Sequence, residues 1–167
     1  MRKGYIRDFK IPTIKTDEII KEPYTEYELN LLLKKPNLKT CYFSEYRSWV
    51  LVNYFYSTGN RLETVLSLKI QDIDFSDGTA FLRTVKTRRQ QIIPLSNTML
   101  AILKEYLHYR KGTPEDYLFP TLSGAKLSKR AAQSSIASYN RKRGVSKTSI
   151  HLFRHAFARD WILNRRK

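Results

Sequence analysis

Apolar positions recur at helical spacing over most of the chain and at alternating spacing over one short central stretch. In YTEYELNLLLKKP, Leu29, Leu32 and Leu33 form a helical stripe, Thr25 and Glu28 form a capping-box pair, and Pro36 ends the run. SEYRSWVLVNYFYSTG predicts a second helix, with Ser44 placed to cap it and Gly59 to stop it. LETVLSL predicts a short third. The period then changes. IQDIDF, TAFLRTVK and QIIPL read as β-strands, the first two joined by an SDG turn and the second hairpin tipped by Arg88, Arg89 and Gln90. Helical spacing returns in SNTMLAILKEYLHYRKG, capped by Ser96 or Asn97 and stopped by Gly112. It continues in LSKRAAQSSIASYNRKRG, capped by Ser128 and stopped by Gly144. A last helix begins near Thr148 or Ser149 and carries HLFRHAFARDWILNRRK.

This order predicts an α+β fold that is mainly helical, with a small three-stranded antiparallel sheet set between two groups of helices. Residues 1–23 show no clean period; Pro12 and Pro23 punctuate them, and Lys10, Lys15 and Lys21 dot them with charge. They read as a linker or arm, leaving 24–167 as one domain.

At 100° per residue the last helix is apolar almost all round. Leu152, Ala156 and Leu163 share one side, and Phe153, Phe157 and Trp161 the adjacent sector. Ala158 and Ile162 fall with His151, Arg154 and His155. The pattern predicts burial on most faces, including the sector that holds Arg154. A buried or half-buried arginine is costly without a partner. Asp160 points elsewhere, so the partner is either a distant carboxylate or an anionic ligand.

Charge bears on that choice. The 167 residues hold 31 Lys+Arg against 15 Asp+Glu, a formal net charge of +16. A globular domain that basic meets a polyanion, and a ribosomal or chromatin-type binder and a peripheral membrane protein are the bland alternatives. Hydrophobic content of 41% supports a packed core and argues against global disorder. The single cysteine, Cys41, can form no internal disulfide and favours a reducing compartment. The basic N-terminus has no apolar h-region, and WVLVNYFY is too short to span a bilayer, so a soluble cytoplasmic protein with no membrane contact is expected.

Three segments carry candidate chemistry. In TGNRLETVLSLKIQDIDF, Arg61 follows a glycine where one helix ends and the next begins, a place suited to an anion. By itself it also reads as a solvated surface arginine. In FLRTVKTRRQQIIPL, Lys86 ends a strand, where a lysine can hold a phosphate or give a proton to a leaving oxygen, or simply keep a hairpin tip soluble. His151 and His155 have the i, i+4 spacing of helical metal ligands. The glutamate position beside the first is Leu152 and the only other histidine is His108, so no metal is expected. No P-loop or dinucleotide glycine pattern occurs.

Taken together, these segments closely resemble the catalytic domain of the tyrosine recombinases, the phage integrase family, over roughly Tyr24 to Asn164. TGNRLETVLSLKIQDID is similar to the box around that family's first arginine, TVKTRRQQIIPL to its lysine hairpin, and HLFRHAFA to its second-arginine box. The resemblance implies Arg61, Lys86, His151 and Arg154 as catalytic residues and His155 as structural support. It implies DNA cleavage by tyrosine attack on the scissile phosphate, forming a 3′-phosphotyrosyl link without metal or cofactor. Arg61 and Arg154 would neutralise the phosphorane, Lys86 would protonate the departing 5′-oxygen, and His151 would share the nucleophile's proton. Arg88, Arg89, Lys129, Arg130, Arg141, Lys142 and Arg143 are the expected contacts to double-stranded DNA.

Two departures from the family pattern set further expectations. The acid usual three positions after the first arginine is replaced by Thr64, so Glu63 or Asp72 is expected to support Arg61. All 11 tyrosines precede His151, the last being Tyr139. The expectation is a C-terminally incomplete domain, monomeric in solution, that holds DNA and a phosphate but does not cleave alone. A tyrosine supplied in trans by a full-length protomer on DNA, and a DNA-binding-only remnant that competes for sites, are the alternatives.

Overall fold

A computed structural model describes residues 22–83 and 90–164. Thr25 caps the first helix, α1 (Glu26–Leu33), through the capping box with Glu28. Helix α2 (Phe43–Thr58) follows and ends at Gly59, which takes the left-handed conformation at φ 61°. Helix α3 (Leu62–Leu66) starts at once, with Arg61 as its N-cap. A three-residue 3-10 turn (Ile70–Asp72) leads into strands β1 (Ile73–Asp74), β2 (Thr79–Leu82) and β3 (Gln91–Pro94). These form one antiparallel sheet in the order β1-β2-β3, with Asp74 opposite Thr79 and Leu82 opposite Gln91. Helices α4 (Asn97–Arg110), α5 (Lys129–Lys142) and α6 (His151–Asn164) complete the chain, the first two capped by Ser96 and Ser128. The expected α+β class, mainly helical with a three-stranded antiparallel sheet, is the observed one.

Helix α2 is the axis of the core. It packs against α1, α4, α5 and α6, so it is buried on nearly every side, from Tyr46 through Phe55. Each fully buried aliphatic or aromatic side chain there contributes roughly 1.5–3 kcal/mol. Polar side chains lock the neighbours to it and to each other. Trp49 Nε1 donates to the Leu33 carbonyl at 2.8 Å, Tyr139 Oη to the Leu32 carbonyl at 2.7 Å, and Asn140 Nδ2 to Tyr24 Oη at 2.9 Å. Tyr24 packs on Phe153 with ring centroids 4.6 Å apart, which joins the start of the domain to α6.

Four local expectations are corrected. The second helix begins one residue before Ser44, whose place as N-cap is taken by Tyr42 with no side-chain bond. IQDIDF is mostly not strand: Asp72 Oδ2 accepts from the Lys69 amide at 2.9 Å and closes a 3-10 turn, leaving only Ile73–Asp74 to pair. The last helix is not buried on most faces. It docks by Leu152, Phe153 and Ala156, while Trp161, Ile162 and Leu163 are about half exposed, and the sector of His151, Arg154, His155 and Ala158 faces solvent. The buried arginine is instead Arg47 on α2, 5% exposed, whose guanidinium donates to the Pro120 carbonyl.

Asp72 is 3% exposed and holds two elements at once, because its Oδ1 also accepts from Arg83 Nε at 2.6 Å. Replacing it strands a backbone donor, whereas Arg83 is half exposed and loses little when removed. Asp72→Ala is therefore expected to destabilise by about 1–3 kcal/mol, and Arg83→Ala by less than about 1 kcal/mol. Urea midpoints measure both.

Candidate active site

The left-handed turn at Gly59 reverses the chain, so Arg61 emerges beside the start of α6. Arg154, one turn into α6, donates from Nη1 to the Gly59 carbonyl at 2.8 Å. The two arginines thus meet across a junction that is itself part of the backbone. They are shared by two adjoining clefts. One, of about 410 Å³, is also lined by Asn60, Arg130, Gln133, Ser149 and His151. The other, of about 350 Å³, adds Thr64, Gln91 and Phe157.

No described aspartate or glutamate lines either cleft. Arg61 forms no side-chain hydrogen bond or ion pair with another described residue, and the one hydrogen bond from Arg154 goes to a neutral carbonyl. The carboxylates expected beside Arg61 are engaged elsewhere. Glu63 pairs with Lys126 at 2.8 Å and Lys129 at 3.1 Å, and hydrogen bonds from these lysines hold its carboxyl below the usual carboxylate range. Asp72 pairs with Arg83, the residue after β2, rather than with Arg61. Thr64, where an acid was expected from the resemblance, is buried and lines the second cleft. The result is a concave surface with three guanidinium groups, an imidazole and several hydroxyl and amide groups, open to an anion.

Placement divides the other candidates. Arg130 lies in the first cleft, with Gln133 and Ser134 beside it on the same face of α5. The helical spacing of these two from Arg130 was the signal that would have found them. Lys129 is tied to Glu63. At the far end of α5, roughly 18 Å along the axis by helical rise, Arg141 is exposed and Lys142 binds Glu45. Arg143 stacks on the Tyr139 ring at 4.3 Å. That end is separate from the clefts. His155 is exposed and lines neither. Among the described residues no three His, Cys, Asp or Glu side chains gather as a metal site, so His151 and His155 have no third ligand there. Lys86, Arg88 and Arg89 lie outside the described residues; Gln91, at the start of β3, lines the second cleft.

No described tyrosine lines either cleft. Burial raises the phenols of Tyr24, Tyr46, Tyr54, Tyr106 and Tyr139 well above their ordinary value. Tyr56 is pushed up to about 12, by burial and by donating to Asp160 at 2.6 Å. These environments disfavour the phenolate, the reverse of what a nucleophile needs.

The family profile described as "Phage integrase family" matches residues 24–165. Tyrosine recombinase XerC of Chlamydia caviae is 26% identical over 147 residues, covering 85% of this chain and 46% of that protein. Tyrosine recombinase XerA of Pyrococcus furiosus is 33% identical over 115 residues, covering 67% of this chain and 40% of that protein. The crystal structure of XerA recombinase superposes with a TM-score of 0.74 at 23% identity, covering 90% of this chain and 52% of that one. That of XerH site-specific recombinase bound to its difH substrate gives 0.69 at 24% identity, covering 87% and 44%. The chain thus spans about half the length, or less, of the relatives it matches. With a profile match that runs from Tyr24 through α6, and with the fold shared, the chain belongs to the phage integrase family.

Proposed function

We propose that this domain grips duplex DNA and activates a scissile phosphate for strand exchange by a tyrosine recombinase. The observation that carries the reading is the cleft in which Arg61, Arg130, His151 and Arg154 converge with no described acid in its lining. Two guanidinium groups placed around one phosphate offset the charge that builds as the phosphorus becomes five-coordinate. Arg61 and Arg154 take that role. His151, at the exposed start of α6, shares the proton of the incoming hydroxyl. Lys86 protonates the leaving 5′-oxygen, a role that rests on the family resemblance alone. Arg130 and Gln133 extend the contact along the duplex, and Lys129, Arg141, Lys142, Arg143, Arg88 and Arg89 add charge around it. The reading calls for no metal, because the arginines supply charge and hydrogen-bond donors to the phosphoryl oxygens.

The nucleophile comes from outside the described residues, since their tyrosines are buried or remote from the clefts. On this reading the described residues bind without cutting, and full-length protomers on DNA supply the attacking tyrosine. A role confined to occupying recombination sites is the second reading, favoured by the same placement of the tyrosines. The site of action is the cytoplasm, where a recombinase meets DNA. No described helix is long and apolar enough to cross a membrane. In the absence of DNA the domain is monomeric.

Duplex affinity measured by fluorescence anisotropy at increasing salt is expected to fall with a log–log slope near −5, for about six neutralised phosphates. A flat response rejects the reading. Arg61→Ala and Arg154→Ala should each weaken duplex binding several-fold, at a cost of less than about 1 kcal/mol in folding stability, because both side chains are exposed and neither holds a carboxylate. A loss of stability that matches the loss of binding would make them structural. A nicked suicide duplex incubated with the chain should yield no covalent protein–DNA band on denaturing gels. A band abolished by changing one of these tyrosines would place the nucleophile inside the domain.

A further inference from the structure

We infer that Gly59 is a positioning residue for the phosphate site, one that sets Arg154 through its own carbonyl and its missing side chain. The inference rests on the reading of Arg61 and Arg154 as phosphate ligands. Three observations converge on this glycine. Its amide donates to the Phe55 carbonyl at 2.9 Å and closes α2, at a φ of 61° that side chains rarely adopt. Its carbonyl accepts from Arg154 Nη1 at 2.8 Å. A Cβ built on it would sit 2.4 Å from Phe157 Cδ1 and 2.9 Å from Cε1.

These contacts are linked by geometry. Phe157 stands three residues after Arg154 on the same face of α6, and both line the second cleft. A side chain at position 59 forces either the Phe157 ring or the whole of α6 to move. Movement of the ring occupies the cleft beside Arg154, and movement of the helix breaks the bond to the Gly59 carbonyl. Arg61, two residues onward, keeps its place as the N-cap of α3. The expected consequence is a change in the spacing of the two guanidinium groups, with the remainder of the fold retained. A glycine that served only to end α2 would be needed for its φ alone, and the identity of residue 157 would not matter to the site.

Inorganic phosphate is a sufficient probe. The full chain, with 15N-labelled arginine, is titrated with phosphate against chloride at matched ionic strength, following the side-chain Nε–H resonances of Arg61 and Arg154. Titrations are run far below each variant's melting temperature, where a merely structural role leaves the dissociation constant unchanged. The wild type should respond at both arginines. Gly59→Ala should bind about ten-fold more weakly, with the response at Arg154 reduced more than that at Arg61. The double variant Gly59→Ala/Phe157→Ala removes the obstructing ring and should recover most of the affinity even though φ remains strained. If Gly59→Ala does not fold, the double variant carries the test. An unchanged affinity in Gly59→Ala, or a double variant no better than the single one, overturns the inference while leaving the site intact. A wild type with no phosphate response at either arginine rejects the site and the inference together.

Discussion

The site depends on how α2 ends. That helix is buried on nearly every side, so its position is set by the whole core rather than by any one neighbour. Its last turn delivers a left-handed residue, and the chain reverses within two positions to begin α3 at Arg61. Helix α6 docks on α2 through Leu152, Phe153 and Ala156, which brings Arg154 over the same turn. Farther along α6, Asp160 accepts from Tyr56 on α2 and pairs with Arg159, which in turn reaches the Tyr24 carbonyl. The rotation of α6 about its axis is therefore fixed on both sides of the site. Two arginines far apart in sequence are brought together by packing of apolar neighbours, and both remain exposed to a ligand.

Electrostatics completes the arrangement by elimination. Most acidic side chains near the basic surface already have a partner: Glu63 with Lys126 and Lys129, Glu45 with Lys142, Glu28 with Lys147, Asp72 with Arg83. The exposed pairs of Glu63 add little stability, typically 0–1 kcal/mol. Their effect here is spatial. Each occupies a carboxylate away from the clefts, which leaves the guanidinium groups there without a described carboxylate as competitor. A cleft arginine paired with an acid would have to exchange that acid for a phosphate. Arg61 and Arg154 have nothing charged to exchange.

Features encoded within a few residues were legible from the sequence. The capping box of Thr25 and Glu28, the caps at Ser96 and Ser128, the stop at Gly59 and the turn after Asp74 all depend on adjacent atoms, and each lies where the pattern put it. Features that depend on what packs against an element were not. The apolar pattern of α6 read as burial on most faces, yet no described element covers Ile162 or Leu163, and both stand half exposed. Arg47 sits in a run of apolar residues that read as core, and only the fold reveals the Pro120 carbonyl that accepts from its guanidinium. The convergence of Arg61 and Arg154 came from resemblance, not from spacing, because they stand 93 positions apart and no local rule connects them.

The exposure of Arg154 alters the physical account of the phosphate site. A buried arginine would bring its low-dielectric surroundings with it and would need a counter-charge to fold at all. An exposed one is screened by water, and its attraction for a lone phosphate is correspondingly weak. Under the proposed reading the ligand must supply the missing exclusion of water. A duplex laid across both clefts covers Arg61, Arg130 and Arg154 together, and the same guanidinium groups then act at closer to interior strength. The domain tolerates three cations in one concave surface while free because water screens their repulsion. On the proposed reading, once DNA replaces that water the phosphate takes over the screening, and the groups act at full strength only in that complex.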